Sequence, residues 1–221
     1  LKLALFDLDH TLIRGDSDVL WCSFLLRHGE LDRAGFEARN RAMEDAYRAG
    51  TVSPRAFCDF YVSTLAGRSP ADWQPLRQAF LHDEIVPLVP AAAMALVQRH
   101  QDAGDLVVMT TATNRFITEL TAAHFGIHHL IATECEVAPD GRFSGRTQGV
   151  LNMREGKVER LQAWLAERGL ALTGCDSTAY SDSVNDLPLL SAARHAVVVN
   201  PDPRLAAEAT ARGWPRLDFT R

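Results

Sequence analysis

Lysine is nearly missing from this chain: of its 23 basic residues only Lys2 and Lys157 are lysines, and all the rest are arginines. A sequence that uses arginine wherever a generic positive charge suffices has reserved Lys157 for a position that wants a compact ammonium, which a forked guanidinium does not replace. Basic charge is not in excess either. The net charge of -5 leaves no electropositive footprint, which argues against nucleic acid or an anionic membrane surface as the main partner and favours a small soluble ligand. Cysteine is sparse and scattered: Cys22, Cys58, Cys135 and Cys175 form no C-x-x-C pair, so neither a disulfide framework nor a zinc site is indicated. Reduced thiols fit the cell interior, and a cytoplasmic location is expected. No apolar run approaches the length of a membrane span. The N-terminus begins as a strand, not as a charged segment followed by an apolar one. Histidines are also dispersed, and of His10, His28, His82, His100, His124, His128, His129 and His195 only His10 lies beside an acidic pair. Repeats and low-complexity tracts are absent.

What is present is 221 residues at 47% hydrophobic content, enough for one domain or a domain carrying an insertion. The chain opens on the apolar run Leu3-Ala4-Leu5-Phe6, which leads into Asp7-Leu8-Asp9-His10-Thr11. The run fits a buried strand, and on extended chain the carboxylates of Asp7 and Asp9 would point the same way. Two carboxylates at one spot repel, so a proton or a cation must lie between them, and a divalent metal is the expected resolution. After Ile13 the period becomes helical. Helices are expected over Asp16 to Arg27, over Leu31 to Ala49 with a stop at Gly50, from Ser53-Pro54 to Gly67, and from Ser69-Pro70 through Phe80. From Val89 helix and strand alternate: helix Pro90 to Ala103, strand Leu106 to Thr110, helix Arg115 to Phe125, strand Leu130 to Ala132. A hairpin is expected around Pro139-Asp140-Gly141, then a helix from Lys157 to Arg168, and late strands at Cys175 to Ser181, Ala196 to Val199 and Trp214 to Phe219. The alternation implies a parallel sheet with crossover helices. The helical block, separating the first strand from the others, reads as an insertion over the sheet's C-terminal edge, where open α/β sheets bind ligands.

Four stretches carry candidate chemistry. Asp7, at the end of the first strand, can attack phosphorus and form an aspartyl-phosphate, while Asp9 protonates the leaving alcohol and then activates water. Thr111-Ala112-Thr113-Asn114 lies between a strand and a helix N-terminus and can cradle a phosphate, with Thr111 making the direct contact, although Thr113 and Asn114 serve equally well as helix caps. Lys157 can bridge an aspartate and a phosphate oxygen. In Ser181-Asp182-Ser183-Val184-Asn185-Asp186, Asp182 can add a hard oxygen ligand to a metal held by Asp7, as Mg²⁺ requires. Asp186 then orders a metal-bound water or Lys157 from further out, with Asn185 beside it.

In this order the stretches resemble the four motifs of the haloacid dehalogenase-like phosphohydrolases, within them the branch typified by phosphoserine phosphatases with a small helical cap. The resemblance spans nearly the whole chain. It implies a doubly wound, three-layer α/β/α core with a parallel sheet, made of residues 1–14 and 88–221, and an all-helical cap over 15–87. It also implies Mg²⁺ held by Asp7, the Asp9 main-chain carbonyl and Asp182. Motif two has Thr111 where serine is common, and motif four is flanked by Ser181 and Ser183 where glycines are often seen. Asp16 lies where phosphoserine phosphatases place an acidic residue for the substrate's ammonium group, so the expected substrate is a small phosphorylated metabolite bearing an amine, such as phosphoserine or histidinol phosphate. For a substrate carboxylate, Arg39, Arg41, Arg48 and Arg55 are all candidates. Phosphoryl transfer to an acceptor other than water is the alternative enzymatic reading. A phospho-aspartate signalling receiver is a different class, disfavoured because its acidic pair and acceptor lie on different strands and it carries no such insertion. A silent binding module is disfavoured by intact candidates for all four roles.

Overall fold

A computed structural model of the chain describes residues 1–49 and 51–219, the side chains at 44, 47 and 48 apart. The helix stop expected at Gly50 and the side chain of Arg48 therefore lie outside the described residues. The centre of the molecule is a seven-stranded sheet in the order β4-β3-β2-β1-β5-β6-β7. Its strands are β1 (Lys2–Phe6), β2 (Leu106–Asn114), β3 (His129–Val137), β4 (Phe143–Gln148), β5 (Asp176–Ser181), β6 (His195–Val199) and β7 (Arg216–Leu217). Every pairing is parallel except the β3–β4 hairpin. β1 lies between β2 and β5, which is why Leu3 to Phe6 are all buried: a parallel strand covered on both faces reads as a continuous apolar run.

The period of two sorts β1 between two cores. Ala4 and Phe6 join the cluster formed with α5 (Ala91–Asp102) and α6 (Arg115–His124), through Ala93, Leu96, Val97, Phe116 and Ile117. Leu3 and Leu5 join the opposite cluster, with Leu161 and Leu165 of α7 (Glu155–Ala166), Leu189 and Leu190 of α8 (Leu187–Ala192), and Leu205 and Ala209 of α9 (Pro203–Arg212). Helices on both faces make the expected doubly wound three-layer α/β/α architecture.

Between β1 and α5, only helices occur among the described residues: α1 (Ser17–Arg27), α2 (Arg33–Arg48), α3 (Pro54–Val62), α4 (Pro70–Phe80), a π turn over Leu81–Ile85, and short 3-10 turns. The starts follow local chemistry. Asp16 caps α1, Ser53 with Pro54 opens α3, and Ser69 and Asp72 form a reciprocal capping box on α4. Four aromatic residues of the insertion, Trp21, Phe24, Trp73 and Phe80, belong to the same cluster as Ala4 and Phe6 of the sheet. Cys22, Phe36 and Phe60 form a smaller cluster under α2 and α3.

The insertion is also fastened to the β3–β4 hairpin. Gly67 N–H donates to the Phe143 carbonyl and Phe143 N–H to the Arg68 carbonyl, both at 2.9 Å. Thr147 donates its N–H and its hydroxyl to Asp59 Oδ1, at 2.7 and 2.6 Å. Arg55 donates to Thr147 Oγ1 at 2.9 Å and to the Gly149 carbonyl at 2.8 Å. Gly145 has φ +84°, and a Cβ there would lie 2.9 Å from the Ala66 Cβ, so the close approach of the two layers at this point needs glycine.

Four elements differ from the sequence expectation, one of them the last strand, expected over Trp214 to Phe219 and confined to Arg216–Leu217. β2 continues past Thr110 to Asn114, and the third strand and the first arm of the hairpin are one strand, His129–Val137. α9 was not anticipated, because Pro201-Asp202-Pro203 reads as a loop although it is a capped helix start. No single helix among the described residues is long and apolar enough to cross a membrane.

Candidate active site

Asp7 follows directly on β1, and its N–H donates to the Tyr180 carbonyl at 3.0 Å, continuing the pairing with β5. Its carboxylate is held from two sides, by Lys157 Nζ at 2.7 Å on Oδ1 and by the Thr11 hydroxyl at 3.0 Å on Oδ2. Lys157, on the first turn of α7, is only 2% exposed and also donates to Asp186 Oδ2 at 2.6 Å. Asp186 in turn accepts the Ser181 hydroxyl at 2.8 Å. Burial alone would lower the Lys157 ammonium, but Asp186 and Asp7 hold it above its ordinary value, so it stays charged. Burial raises the Asp7 carboxyl to about 6 despite the opposing pull of Lys157. The scarcity of lysine is thus matched by a buried ammonium shared between two carboxylates.

The Asp9 carboxylate does not point where alternation on an extended chain would put it. β1 ends at Phe6, and the chain turns immediately, with Thr11 and Leu12 both donating to the Leu8 carbonyl, so the period of two no longer applies. Asp9 Oδ1 accepts the Ser17 N–H at 2.7 Å. Asp9 Oδ2 accepts the hydroxyls of Thr113 at 2.8 Å and Thr111 at 3.4 Å. Asp7 and Asp9 therefore sit close but face different partners. Burial, and after it the charge of Asp16, pushes the Asp9 carboxyl up to about 6, against the hydrogen bonds from Ser17 and Thr113. A carboxyl poised near neutrality suits a proton donor that must also act as a base.

The carboxylate that does approach Asp7 is Asp182. The Thr11 hydroxyl lies 3.0 Å from Asp7 Oδ2 and 3.2 Å from Asp182 Oδ1, and its oxygen accepts the Asp182 N–H at 3.1 Å. One hydroxyl proton cannot satisfy both anions. Burial, then the charges of Asp7 and Asp186, raise the Asp182 carboxyl to about 8. Three carboxylates against one ammonium leave negative charge uncompensated, and the donors facing the gap are hard oxygens. This donor set fits Mg²⁺, which is held by one or two carboxylates and otherwise by water and substrate oxygens. No group of three or more His, Cys, Asp or Glu side chains among the described residues is arranged to hold a metal, so a cation here would rest on the two carboxylates Asp7 and Asp182 with a main-chain carbonyl and water.

At the end of β2 the pairing with β3 skips from Thr111 to Asn114, so Ala112 and Thr113 leave the ladder and Thr113 turns its hydroxyl toward Asp9. Thr113 N–H donates to Thr111 Oγ1 at 3.2 Å. Asn114 accepts the Ile117 N–H at 3.2 Å and is the N-cap of α6, so the loop leads straight into a helix N-terminus. Behind it the fully buried Asn152 donates to Thr110 Oγ1 and to the carbonyls of Thr111 and Ile131 at 2.9 to 3.0 Å, joining the loop before α7 to this strand end.

Asp7, Asp9, Thr111, Thr113, Lys157, Asp182 and Asp186 are thus brought together from four separate parts of the chain. Asn185 lies in the same turn, but only its N–H enters the bonding, to Ser183 Oγ at 3.2 Å. The half-buried Asp16 carboxylate accepts the Val19 N–H as the α1 cap, while its charge still reaches Asp9 and Asp18. Asp18 is a residue that motif reasoning missed: it accepts from the Thr113 hydroxyl at 3.3 Å, and burial followed by the charges of Asp16 and Asp9 holds its carboxyl well above the ordinary value. Its spacing from Asp9 carried no signal, since the turn at Gly15 folds the chain back. The cysteines are free. Burial, with Asp18 adding to it, pushes Cys22 up and Cys58 and Cys135 to about 12, so these thiols stay protonated.

The class that this fold and this constellation define is that of the haloacid dehalogenase-like hydrolases: residues 4–191 match the family, and the chain belongs to it. Among its relatives, a histidinol-phosphatase from Neisseria meningitidis serogroup C (strain 8013) is 41% identical over 219 residues, covering 99% of each chain. A phosphoserine phosphatase from Mycobacterium tuberculosis (strain ATCC 25618 / H37Rv) is 33% identical over 226 residues, covering 98% of this chain and 70% of that protein. A crystal structure of a protein of unknown function from Bordetella pertussis Tohama I superposes with a TM-score of 0.95 at 44% identity, covering 99% of this chain and 98% of that one. The enzyme class expected from the motifs, a phosphatase within this family, is the class that the two named relatives bear.

Proposed function

We propose that this hydrolase is a Mg²⁺-dependent phosphomonoesterase that works through an aspartyl-phosphate on Asp7, and that its substrate is a small amine-bearing ester of the histidinol-phosphate kind. The observation that carries the chemistry is the Asp7 carboxylate, fixed at the end of β1 between Lys157 and Thr11. An Asp7 oxygen attacks phosphorus as the bond to the ester oxygen breaks, and Asp9 gives its proton to the departing alkoxide. Asp9, now a carboxylate, takes a proton from water as the water oxygen attacks phosphorus and the acyl-phosphate bond to Asp7 breaks. Thr111, Ala112, Thr113 and the α6 N-terminus receive the phosphate oxygens, with Lys157 balancing their charge. Asp7, the Asp9 carbonyl and Asp182 would hold Mg²⁺, which when bound neutralises phosphate charge. Asp186 and Asn185 support Lys157 and that loop. The insertion over 15–87 acts as a cap above the sheet edge.

The amine is supported by Asp16 and Asp18, two carboxylates beside Asp9 with no cation in contact among the described residues. Full-length similarity to a histidinol-phosphatase supports the same reading. Of the arginines considered for a substrate carboxylate, two are engaged elsewhere, while Arg41 lines a cavity with Val19 and Ser23 of α1. Arg39 donates to Ser63 Oγ and lies over the Phe60 ring, and Arg55 is spent on Thr147 and Gly149. The test is phosphate release with Mg²⁺ from histidinol phosphate, phosphoserine, phosphoethanolamine and glucose 6-phosphate. Histidinol phosphate should give the highest kcat/KM, and a panel led by the sugar phosphate would overturn the amine assignment.

A further inference from the structure

The segment Asn200-Pro201-Asp202-Pro203 follows β6 and touches no reacting group, yet it is bonded to both loops that bear the carboxylates. Because the sheet runs β1-β5-β6, a chain leaving β6 can reach across the end of β5 to the end of β1. It does so through two side chains. Asp202 donates its N–H to the Asp182 carbonyl at 2.8 Å, and its Oδ2 accepts the Val184 N–H at 2.7 Å. Its other oxygen, Oδ1, caps α9 by accepting from Arg204 N at 2.8 Å and Leu205 N at 2.9 Å. Asn200 donates Nδ2 to the His10 carbonyl at 3.3 Å, while its Oδ1 accepts the Phe219 N–H at 2.9 Å.

An ordinary N-cap aspartate needs one oxygen for the helix. Here the second oxygen is committed to the loop of Asp182, and the main-chain N–H of the same residue holds the carbonyl of Asp182 itself. Pro201 and Pro203 fix φ on either side, so the segment loses little freedom in holding this shape. Asn200, at φ +42°, and His10, at φ +56°, both adopt left-handed backbone where they meet. Two strained residues joined by a side-chain bond indicate a position set by tertiary contacts and not by local preference.

We propose that Asn200 and Asp202 form a clip that fixes the loop of Asp182 relative to the loop of Asp7 and Asp9, with Asp202 a positioning residue for the cation site. The inference rests on the Mg²⁺ reading given above. Partners of metal-ligating groups set ligand orientation, and their loss commonly weakens metal affinity by about 10- to 100-fold. Asp202→Asn separates the two jobs of the side chain. Its amide oxygen can still cap α9, but its NH₂ would meet the Val184 N–H donor to donor.

The measurement is Mg²⁺ affinity by isothermal titration calorimetry on the full chain, with melting temperature recorded alongside. Asp202→Asn should weaken Mg²⁺ by about tenfold or more. Val184→Pro removes the donor instead and suits a position that follows extended Ser183 (ψ 138°), so it should weaken Mg²⁺ similarly and serves if the first variant folds poorly. Ala209→Gly weakens α9 away from the clip. It should lower the melting temperature and leave Mg²⁺ affinity unchanged. The clip is overturned if Asp202→Asn and Val184→Pro bind Mg²⁺ within twofold of the unmodified chain, or if Ala209→Gly weakens binding as much as they do. An unmodified chain that binds no Mg²⁺ would instead sink the cation reading, and the clip's purpose with it.

Discussion

At the scale of single residues, the site is governed by one buried ammonium. Lys157 touches Asp7 and Asp186 and is almost entirely enclosed, so both carboxylates depend on it for compensation. Lys157→Met keeps the volume and removes the charge, leaving two buried carboxylates with hydroxyl partners but no cation. Breaking a buried pair from one side destabilises by about 3–5 kcal/mol, and urea denaturation should show a loss of that order. A loss under about 1 kcal/mol, the range of exposed pairs, would mean that water reaches the pair. Asp7→Asn leaves Lys157 its bond to Asp186, so the fold should persist while phosphate release falls by at least about 10³-fold, as expected when a nucleophile is removed. Activity retained in a pure sample would refute the nucleophile assignment. Lys157 was legible in the sequence because the composition isolates it, Asp7 because it follows an apolar strand, and Asp182 because it opens the acidic cluster with Asp186, the strand before it being mostly polar. Asp18 and Asn152 were not, since their importance comes from a fold-back at Gly15 and from a packing junction between β2 and β3, neither of which leaves a local pattern.

At the scale of elements, α6, β3 and α7 are joined by one carboxylate. Arg115 grips Glu134 with two nitrogens at 2.8 to 3.0 Å, and Arg160 adds a bond at 2.9 Å. Burial alone would raise the Glu134 carboxyl, but the two guanidiniums hold it below its ordinary value of 4.5. With the folded value depressed, the unfolded chain binds more protons in the window between the two values, so stability rises with pH across it. The contribution is fully present above 4.5 and is lost as pH falls through the lower, folded value. Glu134→Gln should therefore be clearly less stable than the unmodified chain at pH 7, with the gap closing in acid. Melting curves at both pH values check this, and an equal gap at both would show that the charge contributes nothing. Elements with a strong period were readable in advance: the buried run of β1, the capped starts of α3 and α4, and the alternation from α5 onward. α9 was not, because two prolines within three residues suggest a loop unless it is known that Asp202 has N–H groups to cap. The single long β3 was split for a related reason, since its far half pairs only with the hairpin partner and lacks an apolar run.

At the scale of the whole molecule, the helical insertion is held at two places. Trp21, Phe24, Trp73 and Phe80 share a core with one face of the sheet, and its α3 end is fastened to the hairpin through Arg55, Asp59 and Thr147. The outer helices α2 and α3 have only a small apolar cluster of their own, so the hairpin seam is what fixes their distance from the crevice. If the insertion selects substrates by excluding water and large groups, loosening this seam should relax selection without touching the chemistry. Arg55→Ala combined with Asp59→Ala removes the side-chain bonds at Thr147 and Gly149 and leaves the Arg142 bond to the Gly67 carbonyl and the backbone bonds of Gly67 and Phe143 in place. The deleted hydrogen bonds are worth about 1 kcal/mol of stability each, and only the part of that sum which tells the two esters apart enters selection. The preference for a small aminated ester over p-nitrophenyl phosphate, measured as the ratio of kcat/KM values, should fall, a tenfold drop corresponding to about 1.4 kcal/mol of it. The small ester should lose through a higher KM and not through kcat, because Asp7, Asp9 and Lys157 keep their partners. An unchanged ratio together with a lower melting temperature would mean that the seam serves stability alone, and that α2 and α3 take no part in choosing the substrate.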